Sequence, residues 1–253
     1  MSTNARCCHV IPFWSGPRRS TTGSGYAIEL LKFIWETHTN IDGGMDFDVI
    51  ILNPMYDNEE TNSFLSEIDG TKTKNGKFIV YNKDNIGWGF GSHAYAYEKL
   101  RNEYDYWFFT EDDNIFCKPN WYKNTFDLLV TEMNNGSNVA FIASKGVLRD
   151  SGFEKSQCAH GGMGITHKKF LDEIYYSEGG CSDVFERGRD SYLFNRANTL
   201  PYYAIDAPAS KPYIIWSEIE FTNVFFRLGY EIGEIDEIYY KRWFVPENAL
   251  RHW

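Results

Sequence analysis

The stretch that decides the fold is Tyr104 to Phe116, YDYWFFTEDDNIF. Its first part, Tyr106 to Thr110, is a run of aromatic and apolar side chains of the kind that fills a strand buried on both faces. Three consecutive acids follow, Glu111, Asp112 and Asp113. Burying charge is costly, so these acids belong just outside the core, at the carboxyl end of the strand. Open α/β sheets bind their ligands at that end. Crowded carboxylates repel one another and are stabilised jointly by a cation. Mg2+ and Mn2+ are commonly held by one or two carboxylates together with phosphate oxygens. The alternative is an acidic turn, because Asp and Asn accept turn conformations readily. The apolar strand leading into the acids favours the ion site.

Outward from this stretch, strands and helices alternate. CCHVIP (Cys7 to Pro12) reads as a short buried strand closed by a proline. In IELLKFIWETH, Ala27, Leu30, Leu31 and Ile34 fall on one helical face. DFDVIILN (Asp46 to Asn53) predicts a second strand, NEETNSFLSEI a short helix, and KFIVYN (Lys77 to Asn82) a third strand. The glycine-rich turn NIGWGFGS leads into a helix through Ala94, Tyr97 and Leu100, and DYWFFT is the fourth strand. This order predicts βαβ units and an α/β fold with a mostly parallel central sheet flanked by helices. Beyond the acids, Asn120 can cap a helix whose face is Tyr122, Phe126, Leu129 and Met133. NVAFIA (Asn138 to Ala143) predicts another strand. CAHGGMGIT reads as an irregular, glycine-rich strand followed by a helix from about His167. SEGGCSDVFERGR, Ser177 to Arg189, has no period and predicts a loop that orders over a ligand.

The 253 residues contain no internal repeat or low-complexity linker, so one domain is expected. With 25 basic and 35 acidic residues the net charge is −10, which argues against a protein that grips nucleic acid by its phosphates. Apolar runs are shorter than a membrane span requires and MSTNARCCHVIP lacks a signal-peptide apolar core, so a soluble, cytoplasmic protein is expected. Five cysteines, scattered without paired spacing, support neither a disulfide framework nor a zinc site at Cys158 and His160.

Four stretches occur in the order used by nucleotide-sugar glycosyltransferases of the glycosyltransferase-A fold. EDDN at the end of the fourth strand resembles their acidic metal-binding motif. HVIPFWSGPRR resembles the first strand and nucleotide-binding loop of the inverting family-2 type. HGGMGITHKKFLDEI resembles the glycine-rich acceptor-side turn and the helix after it. WSEIEFTNVFFRLGYEIGEI resembles the helix that carries the catalytic base. Together they cover nearly the whole chain.

This resemblance implies a Rossmann-like nucleotide-binding half at 1–116 and an acceptor-side half at 117–253. It implies transfer of a hexosyl or pentosyl group from a nucleoside-diphosphate sugar to a glycan or other acceptor hydroxyl, with inversion. By position, Asp113 becomes the principal ligand of Mn2+ or Mg2+, and Asp112 contacts the metal or the nucleotide ribose. His252, near the chain end, becomes a further metal ligand, since imidazole suits Mn2+ better than Mg2+. The nucleotide contacts fall on Pro12, Phe13 and Trp14, on Asn53 and Asp57, and on Asn85, Gly91 and Ser92. Phe13 and Trp14 could stack on the base or belong to the core. Acceptor contacts fall on His160, Gly161, Gly162, Trp216 and Glu220, and Glu218 takes the place of the general base.

Several features depart from the pattern or have other uses. Asn53 stands where an aspartate often reads the base, and the turn NIGWGFGS lacks the usual arginine and asparagine. Gly87, Gly89 and Gly91 could let backbone approach a nucleotide or simply join strand to helix. Ser217 and Glu220 form a capping box, and Trp216 with Phe221 a hydrophobic staple, so Glu218 alone has no structural use there. Other readings remain open: a nucleotidyltransferase using the loose Gly16, Arg18, Arg19, Gly23, Gly25 loop, a retaining transferase, or a carbohydrate-binding relative without turnover.

Overall fold

The computed structural model describes residues 5–16, 27–54, 57–84, 88–116, 118–144, 146–150, 155–159, 162–176, 219, 221–235 and 240–242. The expected strands and helices of the first half form. They are β1 (Cys7–Pro12), α1 (Ala27–Asn40), β2 (Asp48–Asn53), α2 (Glu59–Ile68), β3 (Phe78–Asn82), α3 (Trp88–Leu100) and β4 (Tyr106–Phe109). There follow β5 (Asn114–Phe116), α4 (Trp121–Asn134), β6 (Val139–Ala143), β7 (Gly146–Asp150), β8 (Lys155–Ala159), β9 (Gly164–His167) and α5 (Lys168–Tyr176). A helix over 221–227, α6, leads to β10 (Glu231–Glu234) and β11 (Tyr240–Arg242).

Seven strands form one sheet in the order β10-β6-β9-β4-β1-β2-β3. β9 pairs antiparallel with both β4 and β6, and every other pairing in this sheet is parallel. The sheet is therefore mixed and mostly parallel, with helices on both faces. β1 and β2 have apolar side chains buried on both faces, which is why they read as continuous apolar runs.

The chain steps from β1 through β2 to β3 with α1 and α2 on one face. It then crosses back to set β4 on the other side of β1, with α3 on the opposite face. Leu30 and Leu31 of α1 and Leu65 and Ile68 of α2 pack with Val49, Ile51 and Phe108. Ala96, Tyr97 and Leu100 of α3 pack with Val10, Trp107 and Phe109. The reversal of strand order falls between β1 and β4, where an open sheet leaves a crevice beyond the carboxyl ends of its strands.

Two local expectations are corrected. Asn120 precedes α4 but makes no side-chain cap bond; it sits in the left-handed region at φ 61°. Gly89 and Gly91 belong to the first turns of α3 rather than to a turn before it. Asn58, by contrast, caps α2, its Oδ1 accepting from the Thr61 amide at 3.1 Å. Ser177 to Arg189 lies outside the described residues.

Candidate functional site

The switch point lies between the carboxyl ends of β1 and β4. The first residue past β1, Phe13, extends the ladder by donating from its amide to the Leu52 carbonyl at 2.9 Å. Its ring is fully buried in the core on the α1 face, so Phe13 is a core residue and does not stack on a base. The chain then turns, and the Trp14 amide donates to Asp112 Oδ2 at 2.8 Å. This bond joins the loop after the first strand to the acidic motif after the fourth, across the switch point. Trp14 itself is half-buried. A Cβ on Gly16 would lie 2.2 Å from Trp14 Cζ2, so the indole lies against backbone that only glycine allows. The Asn58 amide group donates to the Ser15 carbonyl at 3.1 Å, fastening the loop to the start of α2.

On the β4 side, Thr110 continues the ladder, its amide donating to the Val10 carbonyl at 3.2 Å. Asp112 is only 7% exposed and Asp113 is half-buried. Asn114 Nδ2 donates to Asp113 Oδ1 at 3.0 Å. Among the described residues, no three of His, Cys, Asp and Glu converge on one point, so the acids do not form a complete cage for an ion. A pair of adjacent carboxylates instead suits an ion whose shell is finished by phosphate oxygens and water. β5, which carries Asn114, pairs antiparallel with β11, so that Arg242 stands opposite Asn114. No local sequence pattern announces this return of the C-terminal segment to the acids. His252 lies outside the described residues, as do Asn85, His160, Gly161, Trp216, Glu218 and Glu220.

Around the crevice, Pro12 is half-buried and lies 3.7 Å from where a Cβ on Gly89 would stand, so the first turn of α3 meets the end of β1. Gly91 and Ser92 are buried in that helix. Asn53, at the end of β2, donates from Nδ2 to Asn62 Oδ1 at 3.1 Å and to Asn82 Oδ1 at 2.9 Å. With Asp57, Asp69 and Val80 these amides line a cavity of about 450 Å3 between α2 and β3. Lys83, just past β3, is buried, and its Nζ donates to the Asp84 carbonyl at 2.6 Å. Burial pushes its pKa down to about 8, partly offset by the Asp84 carboxylate. This cation was not singled out in the sequence, where it is one lysine among many.

The start of α6 approaches the same end of β4 through aromatic packing. Phe221, at the start of α6, lies 6.3 Å between ring centroids from Phe109 and 5.6 Å from Phe90 of α3. Ile219 is fully buried, and Thr222 Oγ1 accepts from the Ala159 amide at 2.9 Å. Gly162 has a packing reason to be glycine. It adopts φ 64°, and a Cβ there would meet Phe90 at 2.5 Å.

Two histidines that the sequence reading passed over stand directly beneath the acids. His9, in the middle of β1, bonds Thr110 Oγ1 through Nε2 at 2.8 Å. His93, in α3, donates from Nε2 to the Thr110 carbonyl at 3.3 Å from the other face of the sheet. A histidine centred in an apolar strand was the available signal, since a buried imidazole needs partners.

No family model matches this sequence, and no curated protein matches it. Among solved structures, the chain is similar to TarS of S. aureus at 13% identity and a TM-score of 0.44, over 93% of this chain and 59% of that one. It is similar to a cytidylyltransferase from Leptospira borgpetersenii at 13% identity and a TM-score of 0.45, over 92% of this chain and 77% of that one. A 4-diphosphocytidyl-2C-methyl-D-erythritol synthase from Anaerococcus prevotii is similar at 10% identity and a TM-score of 0.45, over 97% of this chain and 94% of that one. At these values the strand order is what assigns the fold. Among the described residues no helix is long and apolar enough to cross a membrane.

Proposed function

We propose that this chain is a glycosyltransferase that moves a sugar from a nucleoside-diphosphate donor to an acceptor hydroxyl, with a divalent ion, Mn2+ or Mg2+, held by Asp112 and Asp113. The observation that carries this reading is the bond from the Trp14 amide to Asp112. It ties the loop that would hold the nucleotide to the acids that would hold its diphosphate, at the switch point of the sheet. The donor set fits, because two adjacent carboxylates leave the remaining coordination positions to phosphate and water. An ion bound there stabilises the negative charge that develops on the departing diphosphate.

Within this reading each residue has a defined task. Trp14 offers its indole face to the base, Asn53 ends the neighbouring strand, and Asp57 stands just before α2. Lys83, past the end of β3, supplies positive charge on the Asn53 side of the same sheet end. Glu218 accepts the acceptor hydroxyl's proton as its oxygen bonds to the anomeric carbon and the bond from that carbon to the diphosphate oxygen breaks. Displacement from the opposite face inverts the anomeric configuration. The contact between Phe221 and Phe109 supports Glu218 in this role, since the two rings lie three residues from Glu218 and from Asp112 respectively. His160, Gly161, Gly162, Trp216 and Glu220 would line the acceptor side, and His252 would complete the ion's shell.

Nucleotidyl transfer is the second reading. Arg18 and Arg19 follow the Trp14 contact within a few residues and would face the extra charge of a triphosphate. One assay separates the two. The protein is incubated with Mn2+ and either a panel of sugar nucleotides or a nucleoside triphosphate plus sugar phosphate. Release of nucleoside diphosphate is expected; pyrophosphate release would instead select the second reading, and silence on both panels would reject enzymatic transfer. Glu218→Gln should bind donor with parental affinity by calorimetry yet lose transfer. Transfer at the parent rate would remove Glu218 from the mechanism.

A further inference from the structure

Beneath the acids runs a chain of buried hydrogen bonds whose directions can be deduced one from the next. His38 Nδ1 lies 2.8 Å from the Ile34 carbonyl, which can only accept, so this nitrogen carries the hydrogen. His38 is buried and its pKa is lowered to about 4, mainly by burial, so the ring is neutral and Nε2 is a bare acceptor. His9 Nδ1, 2.9 Å from that Nε2, must then donate. His9 is also buried, with its pKa driven well below the ordinary value by burial and by the neighbouring His38 and His93, which leaves its Nε2 as an acceptor. Thr110 Oγ1 at 2.8 Å is therefore the donor. The chain ends with the Thr110 hydroxyl pinned toward β1.

The other groups of Thr110 are held as well: its amide by the Val10 carbonyl, its carbonyl by His93 from the α3 side. Two elements, β1 and α3, thus fix the residue from which the chain leaves the sheet and enters Glu111, Asp112 and Asp113, with His38 of α1 acting through His9. An imidazole is a costly choice in this position. His9 is packed edge-on by Phe108, Phe116 and Trp121 at centroid distances of 5.5, 5.4 and 5.2 Å, a site in which an apolar side chain would need no partner at all.

We propose that His9 and His38 are positioning residues: by dictating the direction of the Thr110 hydroxyl they hold the acidic turn 111–114 in the geometry that receives the Trp14 amide. Their effect on ion and nucleotide binding rests on the proposed function. Their effect on the turn does not.

The test uses two amides that each keep half of the histidine's bonding. In His9→Gln, Oε1 falls near the position of Nε2 and still accepts from Thr110. In His9→Asn, the shorter side chain sets Nδ2 near the position of Nδ1, keeping the bond to His38 and abandoning Thr110. Thr110→Val and Thr110→Ser form a second pair, without and with the hydroxyl, should the histidine variants fail to fold. Amide hydrogen exchange at 111–114 is the readout, and it requires no donor or metal. Exchange is expected to be about tenfold faster in His9→Asn and Thr110→Val, and within about twofold of the parent in His9→Gln and Thr110→Ser. In the parent, nitrogen-15 shifts of the imidazoles should report the Nδ1–H tautomer for both His9 and His38. Equal exchange in the Gln and Asn variants, parental exchange in Thr110→Val, or the Nε2–H tautomer at His9 would each overturn the proposal. Titration of Mn2+ with a nucleoside diphosphate should weaken only in His9→Asn and Thr110→Val. If the parent itself does not bind, the proposed function fails while the exchange result still decides the positioning role.

Discussion

At the amino ends of the strands, Asp48 accepts from the Tyr104 hydroxyl at 2.8 Å and from the Lys77 amide at 3.2 Å, and Asp105 takes the amide and guanidinium of Arg6. At the carboxyl ends, Asp112 takes the amide of Trp14, a residue that is leaving the sheet for the loop beyond β1. The first arrangement clamps strand starts to one another, through partners that stand within two residues of β1, β3 and β4. The second clamps a loop across a switch point. The proposed function places the site at the carboxyl ends, although the amino-end hollow lined by Asp46, Asp48, Lys74 and Tyr104 is the larger, about 1370 Å3 against about 450 Å3 for the cavity beside Asn53. The lesson is that an acid's partner tells more about its use than the volume beside it. An acid bonded to a neighbouring strand contributes to stability, and an acid bonded to a loop shapes a crevice.

That contrast can be broken most directly by removing one acid from each end. Asp113→Ala should lower metal-dependent turnover by at least about 100-fold with little change in urea midpoint, Asp112→Ala should lose turnover as far and about 1 kcal/mol of stability with the Trp14 bond, and Asp48→Ala should keep turnover and lose stability. Equal losses of activity would erase the distinction. Acidification tests the carboxyl end next, because His9 and His93 both grip Thr110 there. The folded pKa of His38 and of His93 is lowered to about 4, chiefly by burial, and that of His9 is lowered as well. The unfolded chain binds more protons below its ordinary histidine pKa of about 6.5. Stability is therefore complete above that pH and is lost as pH falls toward 4, at about 1.4 kcal/mol per pH unit for each imidazole. Urea midpoints at pH 7, 6 and 5 measure it; a flat series would show that these rings are charged or solvated.

Smaller effects sharpen the comparison. Tyr104→Phe removes one hydroxyl from Asp48 and should cost about 1 kcal/mol of stability while leaving nucleotide affinity unchanged. Lys83→Met should weaken nucleoside diphosphate binding by about threefold to tenfold at low salt, with the difference shrinking as ionic strength rises. Calorimetry at two salt concentrations checks both the size and the electrostatic origin.

Much of the sheet was legible because its central strands are buried on both faces, so Val49 to Leu52 and Trp107 to Phe109 announce themselves as apolar runs. The acids were legible because charge directly after such a run marks the end of the strand, although Asp112 does not lie outside the core as expected: it is buried and accepts the Trp14 amide. β5, β7, β8, β10 and β11 were not recognised as strands. β5 and β11 have only three residues each, and their pairing joins Asn114 to Arg242 across more than a hundred residues, which no local pattern records. Phe13 and Trp14 are adjacent aromatics in one loop, yet one is core and the other half-exposed. The difference depends on the Phe13 amide extending the ladder to Leu52, a fact about the neighbouring strand.

By itself the sequence determined the alternation of strands and helices, the burial of β1 and β4, and the emergence of Asp112 and Asp113 at a strand end. Burial period and the cost of charge act within a few residues, so they are written locally. Only the tertiary structure decided which loop the acids would meet, that β9 would run against its neighbours, and that His38 and His9 would reach Thr110. Those outcomes depend on strand order and on hydrogen bonds between distant segments, whose partners are chosen by the packed sheet.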